Sequence, residues 1–302
     1  MTTPPHDFLA MLRQRVVLFD GGMGSMLIAA GLGKREVPEA WVLSQPGQIA
    51  AVHEAYLAAG ADVLTTCTFG ANAIKLHAAQ AGRALEAAAV NEQAVAIARR
   101  CIEKSGQAAL VAGDIGPTGQ FFPPVGKLDA AQARQAFAEQ AAALERAGVD
   151  LLLIETMYDI REAVEAVRAV RQVSRRPVAV TLTFDRRPKG FFTLMGDSPA
   201  KAAAVLPGEG ADVLGANCSL ASEAMIELAG QFRRVTPAPL LFQPNAGQPV
   251  MQGELATYRQ DPRQFAADIA QLVALGVSAV GGCCGTTPDF IREIRDLLHR
   301  QP

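Results

Sequence analysis

The feature that most constrains this chain is an alternation that runs along nearly all of it. Short apolar stretches rich in leucine and β-branched residues occur at residues 16–20, 62–66, 109–113, 150–155, 177–183, 212–217, 239–243 and 278–282. Longer segments rich in Ala, Glu, Arg and Gln, with helical spacing of their apolar residues, occur at 46–59, 85–104, 129–147, 160–173, 199–206, 222–235, 261–275 and 288–299. Most of the short stretches are apolar on both faces, as strands buried on both faces are. The turn from helix into strand also repeats: Ala59-Gly60-Ala61-Asp62, Ala147-Gly148-Val149-Asp150 and Glu209-Gly210-Ala211-Asp212, with Leu275-Gly276-Val277-Ser278 as a variant. Glycine there suits the left-handed residue that ends a helix.

Eight βα units in 302 residues predict an α/β protein, a single (β/α)8 barrel over residues 1–302 with residues 1–15 as an N-terminal arm. A doubly wound open sheet is the runner-up, although it usually has fewer strands in one domain. Half of the residues are apolar, enough for a sizeable core. The formal net charge is −2, and no Lys/Arg run points to nucleic acid or an acidic membrane surface. The N-terminus lacks the pattern of a signal peptide, and no stretch reaches the roughly 18–20 apolar residues of a membrane span. The expectation is a cytoplasmic protein. Five cysteines, an odd number, argue against a disulfide framework.

In barrels of this kind the chemistry sits at the C-terminal ends of the strands. Those ends carry Asp20-Gly21-Gly22-Met23-Gly24-Ser25, Cys67-Thr68-Phe69-Gly70-Ala71-Asn72, Asp114-Ile115-Gly116-Pro117-Thr118-Gly119, Glu155-Thr156, Asn217-Cys218-Ser219, Pro244-Asn245-Ala246-Gly247 and Gly281-Gly282-Cys283-Cys284-Gly285-Thr286. Cys218, Cys283 and Cys284 thus fall at the tops of strands six and eight. Three thiolates on a rigid rim make a soft site suited to Zn²⁺, and three protein ligands leave a fourth position open for chemistry. The bland alternative is that cysteines are small buried hydrophobes. That reading is preferred for Cys67 and Cys101, but core packing gives no reason for an adjacent pair in a GGCCG loop. His6, His53, His77 and His299 lie in the arm or in helices, away from the rim.

These segments resemble the homocysteine S-methyltransferase family. The stretches LFDGGMGSML, DVLTTCTFGAN, GDIGPTG, LLLIETMYD, GANCS, PNAG and GGCCGTTP carry the likeness from residue 18 to residue 288. GDIGPTG, ETMYD and PNAG are most similar to the homocysteine-binding domain of cobalamin-dependent methionine synthase. Cys67 departs from that pattern, where Asn is expected. The resemblance implies a methyltransferase with zinc on Cys218, Cys283 and Cys284, and homocysteine entering as a thiolate to be methylated to methionine. It implies that Asp20 and Glu155 hold the substrate amino group. The backbone of Gly21, Gly22 and Met23 would receive its carboxylate, as Gly-rich turns do for anions. Asn217 would join the substrate-binding set, and Asn245 would fill the fourth zinc position when substrate is absent.

The methyl donor is left open. The likeness favours a methylcorrinoid, either free methylcobalamin or one carried by a partner protein or by separate folate and cobalamin modules. S-methylmethionine or betaine is the alternative, with selenocysteine as a possible acceptor; a non-catalytic zinc-binding barrel and a metal-dependent hydrolase are the rivals from other classes. A small onium donor needs an aromatic cage, because cations bind ring faces. Trp41, the one tryptophan, is expected in a loop after strand one, and among the tyrosines only Tyr158 lies just past a strand. Phe69, Phe121, Phe122, Phe191 and Phe192 fall in rim segments and could compensate.

Overall fold

The computed structural model describes residues 7–33, 36–79, 85–252 and 255–299. The strands are β1 (Val17–Leu18), β2 (Val63–Thr65), β3 (Leu110–Ile115), β4 (Leu151–Met157), β5 (Val178–Leu182), β6 (Asp185–Arg187), β7 (Gly190–Phe192), β8 (Val213–Ala221), β9 (Leu240–Asn245), β10 (Val250–Gln252), β11 (Leu255–Thr257) and β12 (Ala279–Val280). Eight of them form one parallel sheet in the order β1-β12-β9-β8-β5-β4-β3-β2. A parallel bridge between Phe19 and Val63 joins its two ends, with Asp62 N–H donating to the Leu18 carbonyl at 2.7 Å and Asp20 N–H to that of Val63 at 3.1 Å. The sheet is therefore a closed barrel, which excludes the open alternative. Each predicted apolar stretch contains one barrel strand. The remaining strands form two antiparallel hairpins, β6–β7 and β10–β11, in the loops after β5 and β9.

The helices are α1 (Phe8–Gln14), α2 (Met23–Ala29), α3 (Pro38–Ser44), α4 (Pro46–Ala59), α5 (Ala73–Ala79), α6 (Ala87–Ser105), α7 (Ala130–Ala147), α8 (Ile160–Val173), α9 (Pro199–Glu209), α10 (Ser222–Val235), α11 (Pro262–Ala274) and α12 (Pro288–Leu298). The eight predicted helices correspond to α4 and α6 to α12. Asp129, Asp159, Ser198 and Asp261 begin α7, α8, α9 and α11 by accepting first-turn N–H groups. Gly60, Gly148 and Gly210 end α4, α7 and α9 in the left-handed conformation the repeated turn implied. Trp41 lies in α3 and not in a loop.

The aspartate of that repeated turn has one job, done three times. Asp62, Asp150 and Asp212 accept the backbone N–H of Leu18, Val111 and Val178, each the first or second residue of the neighbouring strand, at 2.8, 2.7 and 2.8 Å. Each also pairs with an arginine: Arg15, Arg99 and Arg171. The motif thus fixes strand register at the N-terminal end of the barrel.

Within the N-terminal arm, Phe8–Gln14 form α1. Asp7 caps α1, and Phe8, 1 % exposed, packs edge-on against Phe19 with ring centroids 5.9 Å apart. Phe8 joins the inward-facing residues Val17, Val63, Leu151 and Leu241 in a cluster inside the barrel, so α1 plugs its bottom. The C-terminal end is left open for a site. Among the described residues no helix is long and apolar enough to cross a membrane. Phe8→Ala should cost about 3–5 kcal/mol, the usual loss for a buried phenylalanine. Denaturant unfolding tests this, and a loss below about 1 kcal/mol would mean that α1 is not a plug.

Candidate active site

The rim cysteines sit on backbone that ordinary residues avoid. Cys218 and Ser219 on β8 have φ of 60° and 56°, at a register shift between Asn217 and Ala221. Thr156 on β4 has φ of 58°, at a second shift between Ile154 and Met157. Left-handed conformations cost a non-glycine residue about 1 kcal/mol or more, so the surroundings must hold them. Asn217 does this for the facing strand. Its Oδ1 accepts Thr156 N–H and Thr181 Oγ1–H, each at 2.8 Å, while its Nδ2 donates to Thr156 Oγ1 at 2.7 Å and Glu155 Oε2 at 3.0 Å.

Cys283 and Cys284 follow β12 and are pinned from two sides. Cys283 N–H donates to the Pro244 carbonyl at 2.8 Å, and Cys284 N–H donates to Asn245 Oδ1 at 3.1 Å. Thr286 Oγ1 donates to the Cys283 carbonyl at 2.7 Å and accepts Gly22 N–H at 3.0 Å. Tyr56 reaches in from α4 to donate to the Thr286 carbonyl at 3.0 Å. The approach needs glycines: a Cβ on Gly22 would lie 2.6 Å from the Cys283 carbonyl oxygen, and one on Gly282 2.3 Å from Thr286 Oγ1.

The three Sγ atoms lie within 4.8 Å of one another, and those of Cys218 and Cys284 are 3.8 Å apart. Sulfurs bound at about 2.3 Å around a tetrahedral Zn²⁺ would be about 3.8 Å apart. The residues therefore fit such an ion. Among the described residues no other His, Cys, Asp and Glu side chains gather in this way. Hydrogen bonds from Cys218 and Cys283 hold Cys284 well below the usual thiol range, while donating to its two neighbours pushes Cys283 up. A coordinated ion removes the asymmetry, because coordination deprotonates a thiol.

Beside the cysteines opens a cavity of about 420 Å³ lined by Asp20, Gly21, Gly22, Met23 and Glu155, and also by Glu39, Cys67, Phe69, Lys75, Asp114 and Gln243. Burial raises the Asp20 carboxyl to about 7, against the pull of its hydrogen bonds from Thr65 N–H (2.8 Å) and Thr65 Oγ1–H (2.7 Å). Burial, then the charges of Cys284 and Asp20, pushes Glu155 to about 8. Asp114 is raised well above the carboxylate range by burial and then by Glu155. Lys75 lines the same cavity, its Nζ 4.2 Å from the centre of the Phe69 ring, and burial lowers its pKa.

Most of the predicted rim residues meet here, and three of them carry partners of their own. Gly22 N–H donates to Thr286 Oγ1, and the first turn of α2 begins at Met23. Asn217 does not line the cavity; its amide orients Glu155 and Thr156. Asn245 Oδ1 accepts Cys284 N–H, so Asn245 shapes the cysteine loop. Cys67 is buried in the cavity wall, and Cys101 is buried with Sγ 3.6 Å from the Ala50 carbonyl. His53 and His77 lie in α4 and α5 and His299 ends α12, as expected; His6 falls outside the described residues. Of the rim phenylalanines only Phe69 lines the cavity; Phe122 and Phe191 are buried, and Phe121 stacks at a tilt on Tyr158. Sequence reasoning missed Glu39, Lys75 and Asp114 in the cavity wall, and Tyr258, whose phenol is pushed up by burial and then by the charge of Cys284. Asp114 stood in plain view in GDIGPTG; Tyr258 follows a hairpin that no apolar pattern announced.

A closed parallel barrel with a thiol cluster and a carboxylate-lined cavity at its C-terminal mouth is the architecture of an enzyme. Residues 17–298 match the family model described as homocysteine S-methyltransferase, and the chain belongs to that family of methyltransferases. It is 34% identical to a methionine synthase of Mycobacterium leprae (strain TN) and 33% identical to one of Mycobacterium tuberculosis (strain ATCC 25618 / H37Rv), over 97% and 95% of its own length. It spans 25% of the length of each of those proteins. The metallated form of the homocysteine methyltransferase MmuM from Escherichia coli shares the fold, with a TM-score of 0.78, 24% identity and coverage of 96% of this chain and 99% of that one.

The raised carboxyls make a pH prediction. Asp20 and Glu155 hold protons more tightly folded than unfolded, so their contribution to stability is full below about pH 4 and is lost as pH rises toward 7 and 8. The metal-free, substrate-free protein should therefore lose stability across that window, and Asp20→Asn should flatten the loss. Thermal melts between pH 5 and 8 read this; an unchanged slope in the variant would remove Asp20 as a cause.

Proposed function

We propose that the chain is a zinc-dependent methyltransferase that methylates homocysteine to methionine, with a methylcorrinoid as donor. The observation that carries this reading is the thiol triad of Cys218, Cys283 and Cys284, at zinc-ligand spacing beside a cavity lined by carboxylates. Zinc bound there supplies one thing: it keeps the incoming thiol ionised near neutral pH, where a free thiol with a pKa near 8.5 is mostly protonated. The protein does the rest. Asp20 and Glu155 receive the substrate ammonium, and the first-turn N–H groups of α2, from Met23 onward, receive its carboxylate. Asn217 holds Glu155 in place, and the strained backbone at Cys218 aims its sulfur inward. α1 closes the far end, so substrate enters and leaves by the mouth.

The likeness to methionine synthases supports a methylcorrinoid, free or presented by a corrinoid protein, and so does the cavity wall. A small onium donor such as betaine or S-methylmethionine would need rings around its charge. Phe69 is the one ring among the residues lining the cavity, and Lys75 already sits on it. With five free thiols, the cytoplasm is the compartment that suits the chain.

Cys283→Ala should abolish both stoichiometric zinc and methyl transfer, whereas Cys101→Ala should leave both intact. Metal analysis and a transfer assay with methylcobalamin, S-methylmethionine and betaine test the reading. Zinc without turnover on any donor would make the barrel a non-catalytic binder; turnover with betaine alone would overturn the corrinoid assignment. Glu155→Ala should keep zinc and raise the homocysteine KM roughly tenfold to a hundredfold, the loss of one charge-assisted hydrogen bond.

A further inference from the structure

Four carboxylates, those of Asp20, Glu39, Asp114 and Glu155, line the cavity beside the cysteines, and they differ in how much hydrogen-bonding capacity is already used. Glu39 accepts from Gly70 N–H at 2.5 Å. Both oxygens of Asp20 accept from Thr65. Glu155 accepts from Asn217 through Oε2. The carboxylate of Asp114 receives no hydrogen bond among the described residues, and its Oδ1 is buried without a partner, although the residue is only 4 % exposed. A carboxylate can accept about four hydrogen bonds, and buried polar groups are as a rule satisfied.

Asp114 is not loosely placed. Its N–H donates to Thr66 Oγ1 at 3.0 Å, and its carbonyl accepts from Thr68 Oγ1 at 2.7 Å and from Gln140 Nε2 at 3.1 Å. The β3–β4 register pairs Asp114 with Leu153, so Glu155 comes next along β4 on the same inward face. Thr65 holds Asp20 and Thr66 holds Asp114, so both carboxylates flank the end of β2. Lys75, the cation lining this cavity, makes no hydrogen bond to Asp114 and rests against Phe69. Gln243 Oε1, on β9, is a second buried acceptor in the cavity wall without a partner. Two bare acceptors in one wall call for a ligand rich in N–H donors.

We propose that Asp114 is a further substrate-binding residue, accepting a hydrogen bond from the ammonium group of the substrate and so selecting amino-acid thiols over thiols that lack an amino group. This rests on homocysteine being the acceptor. Among its groups only the ammonium is rich in N–H donors, and an ammonium also offsets the repulsion between Asp114 and Glu155. The acceptors share the ammonium unequally: Asp20 already accepts twice from Thr65 and Glu155 once from Asn217, while the carboxylate of Asp114 has its full capacity left for the ligand.

The test measures calorimetric affinity of the zinc-loaded protein for homocysteine and for 4-mercaptobutanoate, the same molecule without its amino group. Wild type should prefer homocysteine. Asp114→Asn should weaken homocysteine by about tenfold or more and leave 4-mercaptobutanoate within about twofold, so that the preference shrinks. If that variant does not fold, Asp114→Ser removes the same charge. Equal losses for both thiols would make Asp114 a residue of shape alone, and an unchanged preference would remove it from recognition; either result overturns the proposal while the acceptor assignment stands. A wild-type protein that holds zinc and binds neither thiol would overturn both.

Discussion

The barrel closes through two strands of only two residues, β1 and β12, and so much depends on what ties their ends together. At the bottom Asp62 binds the N–H of Leu18 and Arg15 covers the carboxylate. At the top Thr286 links Cys283 to Gly22, and Tyr56 clamps Thr286 from outside. The upper tie is also the loop that carries two of the three clustered cysteines. Folding the barrel and assembling the thiol cluster therefore share the same hydrogen bonds, and an ion bound to the cluster would stabilise the ring at its thinnest seam.

The barrel was legible because parallel strands buried on both faces have an unmistakable composition, and because Gly-x-Asp recurs where it has a physical task. Glycine ends the helix and aspartate sets the register of the strand beside it. The hairpins were not legible: β6 is exposed along its whole length, and three-residue strands give no period to read. The plug was missed because Phe8 and Phe19 meet only once the barrel exists. Cys218, Cys283 and Cys284 were readable from motif and strand end together. The partners of Gly22, Asn217 and Asn245 were not legible, since each polar group meets one far away in sequence. Thr286 lies 264 residues from Gly22. A motif shows that a donor is present, and only the folded chain shows whether it is free.

The cavity gathers negative groups at a cost. Asp20, Asp114 and Glu155 all have raised pKa values, with burial as the leading cause in each. A pocket meant only to be stable would have replaced them with apolar residues. Keeping them is sensible where an occupant brings positive charge: a metal ion at the sulfurs and an ammonium at the carboxylates. Each lowers the burden of the other, because Glu155 feels the charge of Cys284 directly.

Orientation is the other quantity this rim controls. Thr156, Cys218 and Ser219 occupy conformations that a relaxed chain would leave, and Asn217 bridges the two strands that carry them. Methyl transfer between two heavy atoms needs the nucleophile in line with the bond that breaks, and holding that geometry removes much of the entropic barrier. A thiolate on a flexible loop would have to find the line each time. Under the proposed function, a thiolate held on an ion at Cys218, Cys283 and Cys284 would have few directions open to it, because the backbone of Cys218 is held in an unusual conformation and the Asn217 amide beside it braces the facing strand. On that reading the strain is the means by which a stable barrel would fix the direction of one sulfur.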